Sequence, residues 1–343
     1  MELRAEIATL RLAETFTISR SSQDEAEVVQ VTLEHAGHTG HGEAAPIERY
    51  HESAASSLAY LEGHEDELGD DPFAVDEILG RLPAGEFAAR AAIDAALHDL
   101  QGRLTGLPVW RLLGLRRGGP PTSWTIWLGD PDDMARRAER TVADGRFRRL
   151  KLKLGGGDGN DVERVRAVRG VTDLPLQVDV NEYWTLEEAI DNAEQLVPLG
   201  VQYVEQPLPA DDPGGPELKR RSELPVFVDE DCHTLADVAA CAERAHGINI
   251  KLAKSGGLRE AMRMANAARA LGLGVMVGCM VESGLGIAPG AHIASLCDHV
   301  DLDGNLLLAE DPWPGVDLVD GVQTPSDAPG FGVRARDSLP RPR

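Results

Sequence analysis

The sequence predicts an α/β protein in which a small α+β domain precedes a barrel of parallel strands. Two patterns carry this prediction. From about residue 122 onward, short apolar runs alternate with longer amphipathic segments, whereas the preceding residues are typical of strands followed by helices. Alternation of strand and helix joins parallel strands by right-handed crossovers, which produces either a barrel or an open doubly wound sheet.

The first domain is predicted to span residues 1–118. Residues 27–35 alternate loosely between apolar and polar side chains, which indicates a strand of a β-meander, and the glycines of 37–42 are expected to turn the chain. Residues 86–100 are rich in alanine and place apolar side chains at helical spacing. We therefore expect strands first and a long helix after them.

The second domain is predicted to span residues 119–310 and to form the barrel. Eight strands in strict alternation with helices favour closure into a barrel. The alternative, an open sheet, lacks the Gly-x-Gly-x-x-Gly turn that opens its first helix. Residues 311–343 are rich in proline and glycine, and we expect them to return to the first domain. The predicted barrel strands are 123–129, 148–154, 174–180, 201–207, 224–230, 248–254, 274–280 and 299–305.

Charge and hydropathy limit the partners. The 343 residues include 34 basic and 57 acidic side chains, for a formal net charge of −23. Such a chain repels polyanions, which argues against nucleic acid or an anionic membrane as the main partner. Charges interrupt the first residues, and no apolar run approaches the ~20 residues of a membrane span. We expect a cytoplasmic location.

Ionisable side chains stand at the end of nearly every predicted barrel strand. Residues 153, 179, 205, 229 and 251 follow one another at intervals of 26, 26, 24 and 22 residues, one strand–helix unit each. Equivalent positions on successive strands converge at the carboxyl end of a barrel, where active sites lie. Asp179, Glu205 and Asp229 lie on neighbouring strands, and a ligand set made only of oxygen favours Mg²⁺. We predict a Mg²⁺ site there.

Lysines flank the predicted metal site. Lys153 lies one strand before the carboxylate strands and Lys251 one strand after them, so their ammonium groups are expected to face each other across the barrel. Lys151 shares the strand face of Lys153. Two close ammonium groups lower the pKa of an amine toward the range of a general base. Lys254, by contrast, is expected to face solvent.

A metal ion with two opposed bases suits abstraction of a proton next to a carboxylate. The metal would stabilise the charge that develops on the oxygens of the enediolate. If the second base returns a proton to the opposite face, the carbon is inverted. If it assists departure of a leaving group, the product is an alkene, and these residues alone leave both outcomes open.

Five short motifs hold these residues: KLK (151–153), DVN (179–181), VEQP (204–207), VDED (228–231) and NIKLAKSGG (249–257). They resemble those of the enolase superfamily, in its muconate-lactonizing subgroup. The resemblance covers the whole barrel and implies a modified TIM barrel, (β/α)7β, with an α+β N-terminal capping domain that the C-terminal segment completes. One departure is VDED in place of the family's DES, which leaves Asp231 without an assigned role.

The resemblance also implies a role for each residue. Lys153 and Lys251 would be the acid–base pair. Lys151 would contact the substrate carboxylate and lower the pKa of its neighbour, and Asn181 would support the ligands from behind. The metal ligands would be Asp179, Glu205 and Asp229.

Residues 301–304 (DLDG) resemble a motif of the dipeptide epimerases in this superfamily. There an Asp-x-Asp pair binds the α-ammonium of a dipeptide, and Asp301 and Asp303 are expected to share one strand face suited to that cation. Their presence favours a substrate with a free ammonium group.

Two loops of the capping domain, 15–26 and 45–53, are implied to determine specificity. In the first, Arg20 would pair with a carboxylate on the substrate side chain. In the second, Tyr50 or His51 would line the pocket.

Taken together, the resemblance implies a Mg²⁺-dependent dipeptide epimerase, expected as a homo-oligomer, that inverts the α-carbon of the C-terminal residue. L-Ala-D/L-Glu is the first substrate expected, because of Arg20. The alternatives in the subgroup are o-succinylbenzoate synthase, N-acylamino acid racemase and cycloisomerase, whose substrates carry no ammonium for Asp301 and Asp303. Sugar acid dehydratases usually have histidine at the position of Lys251, and an inactive metal-binding scaffold would lack a ligand or a lysine.

Overall fold

The structure is a computed structural model that describes residues 1–338, so the last five residues of the predicted segment 311–343 lie outside the described residues. An antiparallel three-stranded sheet comes first, an eight-stranded parallel sheet follows, and a two-stranded sheet is the last one among the described residues. The strands are β1 (Glu2–Ile18), β2 (Ser21–His35), β3 (His38–Ala44), β4 (Trp124–Ile126), β5 (Leu150–Lys153), β6 (Leu176–Asp179), β7 (Val201–Glu205), β8 (Val226–Val228), β9 (Gly247–Lys251), β10 (Gly274–Gly278), β11 (His299–Asp301), β12 (Asp317–Val319) and β13 (Val322–Thr324).

The α-helices alternate with the strands of the parallel sheet and also cover the first sheet. They are α1 (Ala54–Gly63), α2 (Val75–Arg81), α3 (Phe87–Thr105), α4 (Val109–Leu112), α5 (Pro131–Asp144), α6 (Asp161–Arg169), α7 (Leu186–Leu196), α8 (Gly215–Arg221), α9 (Val238–Arg244), α10 (Leu252–Ser255), α11 (Leu258–Ala270) and α12 (Gly284–Ile293). Among residues 1–338, none of these helices has the length and apolar character needed to cross a membrane.

The first sheet has the order β1–β2–β3 and packs on α3, which confirms the predicted meander and its long helix. The glycine prediction was wrong in part. Gly37 turns the chain with φ at +78°, but Gly40 and Gly42 lie inside β3. A Cβ at these two positions would collide with the carbonyl oxygens of Ala96 and Ala92. These two glycines therefore let α3 lie close against the sheet.

The segment predicted as the loop 15–26 is a hairpin instead. β1 and β2 continue their antiparallel pairing as far as Ile18 opposite Ser21, so only Ser19 and Arg20 form the turn. Pairing with the facing strand overrides the low strand propensity of this polar run. The hairpin carries Arg20 at its tip.

All eight predicted barrel strands form, in the order β4 to β11. Seven helices separate them, with α10 as an additional single turn. The backbone N–H of Ser123 donates to the carbonyl of Val300 (3.0 Å), and Thr122 forms a parallel bridge with Val300. These contacts bring the last strand to the first and nearly close the sheet, which excludes the open-sheet alternative.

The residues after the barrel contact helices of the first domain. The N–H of Val109 donates to the carbonyl of Gly330 (3.0 Å), and the N–H of Phe331 donates to Asp99 Oδ1 (2.7 Å). Phe331 also stacks edge-on against His292 of α12. This segment therefore joins the first domain to the barrel.

Candidate active site

The charged residues predicted from strand spacing lie at one end of the barrel. The sheet register sets Lys153 beside Asp179 and Asp179 beside Glu205. Asp229 follows the last residue of β8, and on the other side Gly278 pairs with both Lys251 and Asp301. Since parallel strands share one direction, these side chains meet at the carboxyl end of the barrel, the end that carries the chemistry in barrel enzymes.

Lys153 and Lys251 stand on opposite sides of this end, because β5 and β9 are four strands apart in the eight-stranded sheet. The ammonium of Lys153 lies 2.6 Å from Asp179 Oδ2, and that of Lys251 lies 2.7 Å from Asp229 Oδ2. Both side chains are about 10% exposed, so each ammonium group reaches the cavity at its tip.

Lys151 lies between three carboxylates. Its ammonium is 2.7 Å from Glu205 Oε2, 2.7 Å from Asp301 Oδ2 and 3.2 Å from Asp179 Oδ2. Burial acts to lower its pKa, but the three carboxylates outweigh burial and hold the pKa well above its usual value. Lys151 is therefore a fully paired cation here.

Lys254 is buried, so the prediction that it faces solvent is wrong. Its ammonium lies 2.6 Å from Asp229 Oδ1 and donates to the carbonyl of Cys232 (2.9 Å). The reason is α10, a single helical turn that directly follows β9 and brings Lys254 back to Asp229. A lysine in a short strand-to-helix link gives no sequence signal of this burial.

The three predicted ligands provide only carboxylate oxygens, the donors that Mg²⁺ prefers. Glu205 Oε2 is buried without a hydrogen bond of good geometry, although the Lys151 ammonium is close. Burial, together with the charges of Asp179 and Asp229, raises the pKa of Glu205 to about 7. Within residues 1–338, no three His, Cys, Asp or Glu side chains are grouped closely enough to hold an ion as they stand. By donor chemistry, Asp179, Glu205 and Asp229 fit Mg²⁺ and would hold it.

A cavity of about 670 Å³ lies between the end of the barrel and the first domain. It brings together residues of both domains that the sequence assigned to the site. Those that reach it include Arg20, Tyr50, Lys151, Lys153, Asn181, Lys251, Asp301 and Asp303.

Asp301 and Asp303 offer negative charge at this cavity. Asp301 Oδ1 is buried without a hydrogen-bond partner, and Asp303 Oδ2 accepts from the N–H of Thr125 (2.7 Å). Burial and the nearby Asp301 raise the pKa of Asp303 to about 7. The two do not share a strand face as expected, because β11 ends at Asp301 and Asp303 lies in the turn that follows.

Arg20 is already paired within the chain. Its Nη2 lies 2.9 Å from Glu230 Oε1 and its Nη1 lies 3.4 Å from Glu182 Oε2. Neither acid was predicted to pair with Arg20. Glu230 adjoins a predicted ligand in the acidic run VDED, and that run was the available signal. Glu182 had no comparable signal.

Tyr50 and Asn181 also occupy defined places. Tyr50 sets its ring edge-on to His233, with centroids 4.5 Å apart, and burial raises the pKa of its hydroxyl. His51, the other residue considered, is exposed. The backbone N–H of Asn181 donates to Asp179 Oδ1 (3.0 Å), with Asn181 in the left-handed region at φ +49°.

Asp231, which had no assigned role, joins the loops after β7 and β8. It accepts from Gln206 Nε2 and from the N–H of Asp211, both at 2.8 Å, and lies 3.3 Å from Arg244. These contacts engage both oxygens of its carboxylate and join the two loops at the rim of the barrel.

Comparison with known proteins agrees with this architecture. Residues 4–114 match the family model for the mandelate racemase/muconate lactonizing enzyme N-terminal domain, and residues 133–339 match the enolase C-terminal domain-like model. The chain therefore belongs to the mandelate racemase/muconate lactonizing enzyme family of the enolase superfamily.

Several similar proteins in this family are named as dipeptide epimerases. The chain is 40% identical to an L-Ala-D/L-Glu epimerase of Bacteroides thetaiotaomicron, over 94% of this chain and 85% of the relative. It is 39% identical to an L-Ala-D/L-amino acid epimerase of Pedosphaera parvula, over 95% and 97%. A crystal structure of a dipeptide epimerase of Enterococcus faecalis with Mg and L-Leu-L-Tyr superposes with a TM-score of 0.92 at 31% identity, covering 96% of this chain and 98% of the other.

Proposed function

We propose that this protein is a Mg²⁺-dependent dipeptide epimerase that inverts the α-carbon of the C-terminal residue of its substrate. The dipeptide expected first as the substrate is L-Ala-D/L-Glu. One observation carries the proposal: Lys153 and Lys251 stand on opposite sides of a carboxylate cluster, and Asp301 and Asp303 share the same cavity. The first pair suits proton transfer at two faces of one carbon, and the second suits an ammonium group.

The residues divide the reaction between them. When bound, Mg²⁺ supplies positive charge beside the substrate carboxylate, which makes the neighbouring α-proton more acidic. Lys153 and Lys251 then act in turn: one Nζ removes the α-proton and the other delivers a proton to the opposite face. Asp301 and Asp303 bind the α-ammonium of the N-terminal residue. This contact keeps the α-carbon of the C-terminal residue between the two lysine amines.

The names of the relatives favour this proposal over the other enzymes of the subgroup. The substrates of an o-succinylbenzoate synthase, an N-acylamino acid racemase or a cycloisomerase carry no ammonium group that two carboxylates could bind. The homo-oligomeric state and the cytoplasmic location stay predictions.

The test is α-deuterium uptake in D₂O. Purified protein with Mg²⁺ is incubated with L-Ala-L-Glu, and uptake and inversion at the C-terminal residue are followed by mass spectrometry and chiral analysis. We expect both, with loss after chelation and recovery when Mg²⁺ is added back. Uptake from an N-acylamino acid but from no dipeptide of a panel would contradict the proposal.

A further inference from the structure

Two separate turns of the first domain meet at one carboxylate of the barrel. Arg49 contacts Glu182 with two parallel bonds, Nε to Oε2 at 2.9 Å and Nη2 to Oε1 at 2.8 Å. Arg20, from the β1–β2 turn, lies 3.4 Å from the same Oε2. The Glu182 side chain is only 14% exposed, so these contacts are shielded from solvent more than ordinary surface pairs.

Glu182 is held firmly on the barrel side. Its backbone lies in the left-handed region at φ +70°, and its N–H donates to the carbonyl of Gln206 (2.8 Å). Its Oε1 accepts in addition from the N–H of Ala210 (3.0 Å). Glu182 follows Asp179 by three residues, so the anchor belongs to the same strand end as a proposed metal ligand.

The two arginines depend on this anchor to different degrees. Among the described residues, Glu182 is the acid that pairs with Arg49, whereas Arg20 also pairs with Glu230 at 2.9 Å. Both arginines line the cavity. Two guanidinium groups from independent turns thus share one carboxylate at the edge of the substrate space.

We infer that Glu182 is a positioning residue that fixes both turns of the capping domain over the substrate. By holding Arg20 and Arg49, it orients their guanidinium groups toward the side chain of the substrate. The inference rests on the proposed function and adds the residue that couples the two specificity loops. Glu182 does not contact the reacting atoms, so its loss affects substrate binding more than the proton-transfer step.

A second ionic contact between the domains provides a matched control. Asp76 on α2 also pairs with two arginines of the barrel. Its Oδ1 accepts from Arg259 Nε at 3.0 Å and from Arg263 Nη2 at 2.9 Å. This contact lies away from the cavity, and the Asp76 side chain is 51% exposed. Asp76→Asn removes the same kind of junction without touching the substrate space.

The experiment combines kinetics with hydrogen exchange on the full-length protein. For Glu182→Gln we expect KM for L-Ala-L-Glu to rise about tenfold, which corresponds to the loss of one charged contact, with kcat within about threefold. Glu182→Asp keeps the charge but shortens the reach, so an intermediate KM is expected, and this variant also serves if the glutamine variant fails to fold. Asp76→Asn should leave both constants unchanged.

Hydrogen exchange tests the coupling without using activity. In Glu182→Gln we expect faster exchange in peptides from both 15–26 and 45–53, with no change there in Asp76→Asn. Unchanged exchange in either loop, the same effect from Asp76→Asn, or a fall in kcat at constant KM would overturn the inference. If the wild-type protein turns over no dipeptide, the proposed function fails, and exchange alone decides the role of Glu182.

Discussion

The inside of the barrel has two adjacent layers of side chains that differ sharply in character. The upper layer, at the carboxyl ends of the strands, is ionic. The layer below it, which we call the floor, comes from the same strands two residues earlier and therefore points into the same interior. Floor residues Gln177, Tyr203, Phe227, Asn249 and His299 each stand two positions before upper-layer residues Asp179, Glu205, Asp229, Lys251 and Asp301, in that order.

The floor is packed by aromatic contacts. The ring of Tyr203 lies 4.9 Å from that of Phe227 and 4.7 Å from that of His299, centroid to centroid. The Tyr203 hydroxyl donates to Met276 Sδ (3.3 Å). Asn249 links the layers, because its Nδ2 donates to Glu205 Oε1 (2.8 Å).

This difference shows that residues at the ends of the strands serve the chemistry, whereas residues two positions earlier on the same strands serve the stability of the fold. Burying a charge is costly unless it is paired, so the upper layer concentrates charges where each finds a partner and where a cavity admits substrate. Apart from the paired Lys151, the floor fills the interior with neutral groups and closes it from below. Substitutions in the two layers should therefore have separable effects.

The largest effect is expected in the upper layer. Lys153→Ala and Lys251→Ala should each lower the epimerisation rate by about 10²–10⁴-fold, the usual loss for a missing general acid or base. Each variant should still exchange the α-proton of one epimer only, since one base remains. Rates and deuterium uptake measured from both epimers check this. Lys219→Ala on α8, whose Nζ donates to Ala242, is the matched lysine control and should retain activity.

In the floor, Met276→Ala should destabilise the fold by about 2–5 kcal/mol, because it leaves a cavity among fully buried side chains. Met276 shares its strand with no proposed ligand, so activity per folded molecule should stay near that of the wild type. Urea denaturation and kcat measured together test this. Met276→Leu should cost less than about 1.5 kcal/mol. A drop in kcat without loss of stability would break the distinction between the layers.

A smaller effect is expected on the pH dependence of the unfolding free energy, and it comes from His299 in the floor. Burial, together with the positive charge of Arg149, lowers the pKa of His299 from 6.5 to about 4. The unfolded chain therefore binds this proton first, so the contribution of His299 to stability is complete above pH 6.5 and is lost as the pH falls toward 4. In His299→Asn the unfolding free energy should depend less on pH across this window. Denaturation curves at several pH values measure the slope, and an unchanged slope would contradict the assignment.

The smallest effect is expected outside both layers. Thr185 and Glu188 form a reciprocal capping box at the start of α7. Thr185→Ala should lower the free energy of unfolding by about 1 kcal/mol, the usual cost of a lost N-cap. Kinetic constants should not change, because the helix lies on the outer surface of the barrel. Thermal unfolding alongside kinetics checks this, and a changed KM would show that the outer shell also controls the site.

Much of this arrangement could be predicted because it is periodic. The eight barrel strands and the regular placement of Lys153, Asp179, Glu205, Asp229 and Lys251 follow from a repeat of about 25 residues, and parallel strands necessarily align such positions at one end. Helix α3 was predictable for a related local reason, since helical spacing of apolar side chains depends on residues close in the chain.

The contacts without such a repeat could not be predicted. Lys254 was assigned to solvent because its partner Asp229 is 25 residues away and reaches it only through the turn at α10. The contact of Arg20 with Glu230 was not predicted, because the two residues are 210 apart in the sequence. The pairing of Arg20 with the substrate side chain stays a prediction.

Local periodicity by itself determined which residues line the end of the barrel, because strand spacing repeats along the chain. Only the tertiary structure decided how they pair. It neutralised Lys151 among three carboxylates and joined Arg20 and Arg49 at Glu182. The physical reason is that ion pairs depend on distance in space, and the closing of a barrel under a second domain brings together charges that the sequence holds far apart.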